Sequence, residues 1–249
     1  MALIELKNVY YKYPGMSKWI LKGINLKINH GKILIAGSTG SGKTTLLRVI
    51  TGLIPEIYGG ELSGSVNRNC TIGFVPQNFD AFILMPRVRD EIVFVLENKR
   101  LSKREIECKV KYIAEMLDIS HLLDRDVSTL SMGERQRIAI ASVLALEPEV
   151  LVFDEPLAYL DPRSSRRFIE LLEDLNLKSI VIAEHRLDQV VEFMDRVIVI
   201  KNGEIIADGE PFEALSKAPP DVPKPTYVKF GFRSLEEMVN YAISGKRLV

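Results

Sequence analysis

The octapeptide Gly37 to Thr44, GSTGSGKT, constrains this chain more than any other stretch. It fits the pattern G-x-x-x-x-G-K-[ST], follows the short apolar run Ile33 to Ala36 and precedes a helical pattern over Thr45 to Ile50. The local order is therefore strand, glycine loop, helix. In that order the backbone N–H groups and the positive end of the helix dipole surround phosphates, and small residues let the backbone approach closely. Gly37, Ser38, Thr39, Gly40, Ser41, Gly42, Lys43, Thr44 and Thr45 are the candidate cradle. Lys43 is placed to reach β- and γ-phosphates, and the Thr44 hydroxyl to ligate Mg²⁺. A glycine-rich turn carrying a solvated lysine is the bland alternative.

Composition limits what surrounds this loop. At 249 residues, 47% hydrophobic and 27% charged, the chain can bury one large core or a core with a smaller attached subdomain. Lys and Arg number 33 and Asp and Glu 33, so bulk charge implies neither nucleic acid nor an anionic membrane surface as partner. Cys70 and Cys108 lack metal-ligand spacing and point to a reducing compartment. The opening MALIELKNVYYKY does not read as a signal peptide, and no window approaches the ~20 apolar residues of a membrane span. The expected location is cytoplasmic, and any membrane role is peripheral.

Leu3 to Tyr13 and Leu21 to Ile28 alternate apolar and polar positions across Pro14-Gly15, which predicts an antiparallel entry sheet. Val150 to Phe153 and Ile180 to Ala183 are buried β-branched runs followed by helical patterns, predicting parallel strands with crossovers and function at their carboxyl ends. Asn202-Gly203 between Val197 to Ile200 and Glu204 to Ala207 predicts a type I′ hairpin. From about Val88 to Ala145 the strand signal vanishes, and Ser102 with Glu105 forms a capping-box pair, so this stretch is expected to be all-helical. Prolines 219, 220, 223 and 225 predict a stiff, non-helical link before a last helix over Ser234 to Ile243. That tail serves either as a dimer contact or as a clasp on the core.

Six further places carry chemistry or a bland structural reading of it. Asp154 and Glu155 end an apolar strand, and alternation along it would aim one carboxylate at Mg²⁺ and the next, as general base, at a water attacking the γ-phosphate. Gln77 follows the strand-like run Ile72 to Val75, where its amide oxygen is placed to touch Mg²⁺. His185 follows Ile180 to Ala183 and is placed to hydrogen-bond the γ-phosphate, whereas His30 and His121 read as turn and helix-end residues. LSMGER, Leu130 to Arg135, opens a helix; Ser131 with Glu134 satisfies the capping box, a sufficient structural reason for both, yet the same helix end is an anion site. Asp161 reads as an N-cap followed by Pro162, and Tyr13 reads as a core-packed strand-end residue or an adenine-stacking one.

In order, these motifs resemble the ATP-binding-cassette ATPases over about Leu3 to Leu215. In that family's terms GSTGSGKT resembles the Walker A loop, Gln77 the Q-loop glutamine, Leu130 to Glu134 the signature motif and Val150 to Glu155 Walker B. Ala158 to Asp161 resembles the D-loop, His185 the switch histidine and Tyr13 the adenine-stacking aromatic. The resemblance implies an α/β P-loop NTPase fold, with a mostly parallel core sheet, an antiparallel β subdomain and an inserted α-helical subdomain. It implies the divisions 1–85 (β subdomain and Walker A), 86–145 (helical subdomain and signature), 146–215 (the rest of the core) and 216–249 (C-terminal extension). It also implies ATP and Mg²⁺ as cofactors and a head-to-tail dimer. Ser131 and Gly133 of one subunit would cover ATP on the other, with Asp161 among the nucleotide contacts.

VPQNFDAFI, RDEIVFVLEN and AEHRLD are further similar to ATPase subunits of energy-coupling-factor importers of vitamins and metal ions. That likeness implies a second ATPase subunit, identical or not, an integral membrane coupling protein and a substrate-binding membrane protein, without nucleic acid, at the inner membrane face. The chain departs from the family pattern in reading LSMGE for LSGGQ and in carrying Tyr159 in the D-loop. A soluble clamp on ribosomes or DNA and a weakly hydrolysing regulatory module are the competing readings. The clamp usually carries two cassettes or a long insert, and neither is present here.

Overall fold

The computed structural model describes residues 2–244. They fall into two units, one made of the residues up to Cys70 together with those from Lys178 onward, the other of Thr71 to Leu177. Residues 245–249, the end of the expected extension, lie outside the described residues.

The first unit begins with strands β1 (Ile4–Lys12) and β2 (Leu21–Ile28), then β3 (Gly31–Ala36), helix α1 (Lys43–Thr51), the short α2 (Leu53–Glu56) and β4 (Glu61–Arg68). β2, β1 and β4 form an antiparallel sheet with β1 central. The predicted alternation is visible in β1 and β2, whose Ile4, Leu6, Val9, Leu21, Ile24 and Leu26 are buried while their neighbours within the strands are not. β4 was not anticipated. Its sequence ELSGSVNR has no apolar alternation and is mostly exposed; it is a strand because β1 pairs with its backbone. Its last residue, Arg68, donates to the carbonyl oxygens of Ile50 (2.8 Å) and Val49, satisfying acceptors left over at the end of α1.

The second unit contains β5 (Ile72–Val75), α3 (Val88–Glu97), α4 (Lys103–Met116), α5 (Met132–Leu144), β6 (Val150–Asp154) and α6 (Pro162–Glu173). β5 and β6 pair in parallel, and between them the chain is helical, as expected. Both capping boxes form: Ser102 and Glu105 start α4, and Ser131 and Glu134 start α5.

The chain returns to the first unit with β7 (Ser179–Ala183), β8 (Arg196–Lys201), β9 (Glu204–Gly209), α7 (Pro211–Ser216), α8 (Thr226–Lys229) and α9 (Leu235–Ile243). β3 lies between β7 and β8 in parallel register, and β9 closes antiparallel on β8. Parallel strands with both faces covered read as unbroken apolar runs, and all of β7 and the last four residues of β3 are buried. Asn202 and Gly203 both have positive φ, 51° and 82°, as the type I′ hairpin requires. The proline-rich link is corrected in one respect: it leads into the helical turn α8, whose Tyr227 and Val228 are buried. Among the described residues no helix is long and apolar enough to cross a membrane.

Candidate functional site

In the first unit the glycine loop joins β3 to α1. An added Cβ on Gly37 would lie 2.4 Å from the Ile200 carbonyl oxygen and 2.6 Å from Ser41 Oγ, so no side chain fits there. Gly42, with φ 112°, holds a backbone conformation that L side chains rarely adopt and serves as N-cap of α1, where no side chain accepts a hydrogen bond from the first turn. An uncapped N-terminus offers N–H donors and positive potential to an anion. The buried Ser41 hydroxyl has no hydrogen-bond partner among the described residues. A buried orphan hydroxyl costs about 1–3 kcal/mol, which a phosphate oxygen would recover. Lys43 is only 5% exposed, and its ammonium donates to the carbonyl oxygens of Gly37 (2.9 Å) and Ser38 (3.3 Å). A lysine curled over its own loop keeps its charge hydrogen-bonded where a phosphate would sit, so the residues present fit a triphosphate.

Of the remaining predicted loop residues, Thr39 and Gly40 are exposed, Ser38 and Thr44 are half-buried and Thr45 is buried. Thr45 Oγ1 and the Tyr13 hydroxyl share a 3.2 Å hydrogen bond, and Arg48 donates to the same hydroxyl at 3.0 Å. The Tyr13 ring also meets Tyr11 edge-on at 4.9 Å. The register Ile35↔Ala183 sets the end of β7 beside the start of the loop, so His185 leaves the sheet next to Gly37. Glu184, which the sequence reading passed over, orients it. This carboxylate is fully buried, accepts the N–H groups of His185 (2.7 Å) and Arg186 (3.0 Å), and lies 3.2 Å from His185 Nδ1.

In the second unit the register Val75↔Phe153 brings two predicted residues together, and Gln77 Nε2 donates to Glu155 Oε2 at 3.2 Å. Asp154 is the buried last residue of β6. Strand alternation does not separate the two carboxylates as expected, because Glu155 has already left the strand with φ 48°. That backbone costs a non-glycine residue about 1–3 kcal/mol, a strain associated with functional turns. Gln136 on α5 stabilises the turn: it is 2% exposed and its Nε2 donates to the Pro156 carbonyl at 2.7 Å. No local sequence pattern marks Gln136, which acts through burial and its bond to Pro156; Glu184 stands inside AEHRLD, and it is its burial that the local sequence does not announce.

The helix starts expected to be functional are well-formed caps. Glu134 accepts from the Ser131 N–H (2.8 Å) and hydroxyl (2.7 Å), and these bonds, the hydroxyl's first, hold its carboxyl below the ordinary value. Gly133 has no internal steric need to be glycine, since an added Cβ would meet only Leu160 Cδ2 at 3.9 Å; that open face suits close approach from outside. Met132 is held by Arg135, whose guanidinium also reaches Asp80 (2.9 Å) and the Leu130 carbonyl (2.8 Å). Asp161 caps α6, accepting from Arg163 N (2.9 Å), Ser164 N (3.1 Å) and Ser164 Oγ (2.6 Å); the Ser164 hydroxyl is the main cause of its lowered pKa. A cavity of about 310 Å³ joins the two helix starts, lined by Ser131, Gly133, Leu160 and Ser164 among others.

The ABC transporter family profile matches residues 21–158, more than half of the chain. A Methanosarcina mazei protein provisionally named an ABC transporter ATP-binding protein is 38% identical over 233 residues, covering 87% of this chain and 40% of that protein. A Vibrio vulnificus protein of similar provisional name is 38% identical, with 92% and 42% covered. The chain thus spans about two fifths of the length of these curated relatives. Among solved structures, CbiO1 of Clostridium perfringens, described as part of the ABC transporter complex CbiONQ, is 32% identical with a TM-score of 0.77, covering 85% of this chain and 90% of that one. The ATP-binding cassette MJ0796, a dimer in a post-hydrolysis state bound to ADP and Pi, is 27% identical with a TM-score of 0.71, covering 84% and 98%.

Proposed function

The chain belongs to the ABC transporter family, and on that premise we propose that it is the ATP-hydrolysing subunit of an energy-coupling-factor type importer of a vitamin or metal ion. The observation that carries the ATP reading is the cradle at Gly37 to Thr45, where an uncapped helix, a buried orphan hydroxyl and a curled lysine converge. Lys43 then turns its ammonium from its own carbonyls to the β- and γ-phosphates, and Ser41 donates its hydroxyl. Thr44, Asp154 and Gln77 would hold Mg²⁺, which when bound neutralises charge developing on the phosphates. Glu155 takes the proton of the attacking water, with Gln77 as its hydrogen-bond partner. His185, aligned by Glu184, hydrogen-bonds the γ-phosphate. Tyr13, its hydroxyl tied to Thr45 and Arg48, packs on adenine.

ATP on one copy is covered by Ser131 and Gly133 of another, with Asp161 nearby, so binding closes the dimer and hydrolysis reopens it. The partner is an identical or a related subunit. CbiO1, whose description sets it in a transporter complex, supports the importer reading. So does an apolar cavity of about 270 Å³ in the second unit, with Phe82, Leu84 and Phe94 on its wall and Phe82 and Leu84 more than half exposed. Exposed apolar patches of this kind mark interaction sites, and this one suits a helix of a membrane coupling protein. The chain would thereby be held peripherally at the inner membrane face. Purification from solubilised native membranes tests the reading: recovery of a polytopic membrane protein supports it, and recovery of nucleic acid or ribosomal protein instead ends it.

A further inference from the structure

The first unit holds a second cavity, of about 670 Å³, remote in sequence from the glycine loop. Its walls come from residues 191–195, the start of α7, Tyr227 on α8 and the start of α9. That volume lies in the range of small-molecule sites. Four carboxylate residues line it, Glu192, Asp195, Glu210 and Glu236, against the single base Arg233 among the described lining residues. Arg233 sets its guanidinium 5.7 Å over the Phe212 ring.

An acidic wall alone would be an ordinary solvated surface, and Tyr227 makes the difference. It is 4% exposed, lines the cavity, and its hydroxyl makes no hydrogen bond to any described residue. The ring is buried while the hydroxyl itself is not sealed off, so it is open to a ligand entering the cavity. Burial chiefly, and then the charges of Glu192, Asp188 and Glu210, push its pKa up to about 12, so it stays a neutral donor and acceptor. Apolar surface from Val191, Met194, Leu235 and Val239 completes the lining.

We propose that this cavity binds a small organic cation of the diamine or polyamine class, whose ammonium groups donate to Tyr227 Oη and to the Glu192 and Glu210 carboxylates while its methylenes lie on the apolar wall. Charge-assisted bonds of that kind are the strong ones. Among the described residues no three of His, Cys, Asp and Glu converge on one metal ion, so the carboxylates suit an extended cation better than a compact one. The ligand would tie α9 to the core, because Glu192 also accepts the Leu235 N–H at 3.0 Å. This site is independent of ATP.

Isothermal titration of the full chain with spermidine, without nucleotide and at low salt, tests it. One-to-one binding is expected in the wild type, abolished in Glu192→Gln/Glu210→Gln and weakened about tenfold in Tyr227→Phe, the loss of one charge-assisted bond. Thermal melts by circular dichroism establish that each variant folds; if the double variant does not, Tyr227→Phe alone decides. Absence of heat in the wild type, unchanged affinity in Tyr227→Phe, or equal binding of Mg²⁺ at the same site overturns the proposal.

Discussion

Glu155 concentrates more of the proposed chemistry than any other residue, and its environment makes a sharp prediction. Its left-handed backbone and the hydrogen bond from Gln77 hold the carboxylate just past the end of β6. Replacement by glutamine keeps the shape and removes the base, so phosphate release should fall about 10²- to 10⁴-fold while nucleotide binding is retained. Turnover equal to wild type would instead favour a module that closes on ATP without hydrolysing it. At Gly37 the prediction is steric: Gly37→Ala drives a methyl to 2.4 Å from the Ile200 oxygen. Overpacking of this kind costs roughly 1–3 kcal/mol. The variant should melt earlier and lose nucleotide affinity, and a melt unchanged from wild type would contradict the tightness described for the loop.

The start of α5 is both a helix cap and the proposed cover for a neighbour's γ-phosphate, and Ser131 takes part in both. Ser131→Ala should cost about 1 kcal/mol in a denaturant titration through the lost cap. It should also weaken ATP-dependent dimerisation beyond that loss; a stability effect without a dimerisation effect would leave Ser131 purely structural. Elsewhere in the second unit, Glu147 meets Lys99 at 2.9 Å and Lys109 more closely, linking the loop after α5 to the loop after α3 and to α4. Its pKa is lowered from 4.5 to about 2, by the Lys109 bond first and then Lys99. A depressed carboxylate pKa stabilises the fold above pH 4.5 and loses that contribution as pH falls toward 2. The side chain is 59% exposed, so solvent screening keeps the contribution small. Glu147→Gln should flatten this part of the acid limb of a stability-versus-pH curve, with a limb identical to wild type excluding the pair as a contributor.

For the molecule as a whole, the proposed function predicts a change of oligomeric state. Light scattering of Glu155→Gln with saturating ATP should find a dimer, alone or with its companion subunit, whereas Lys43→Ala should remain monomeric; a Lys43→Ala protein that binds ATP as tightly as wild type would remove the glycine loop from the account. Much of this was legible from local sequence. The strand, glycine loop and helix, the two capping boxes and the Asn202-Gly203 hairpin each depend on residues within a few positions of one another, where periodicity and turn chemistry act directly. Tertiary structure alone decided that the polar segment Glu61–Arg68 is a strand, because β1 supplies its hydrogen bonds. It alone decided that Gln77 meets Glu155, 78 positions away, and that Gln136 braces the end of β6 through Pro156, 20 positions away. The reason is physical: a buried polar group must find a partner wherever packing brings one, and partners distant in the chain leave no periodic trace along it.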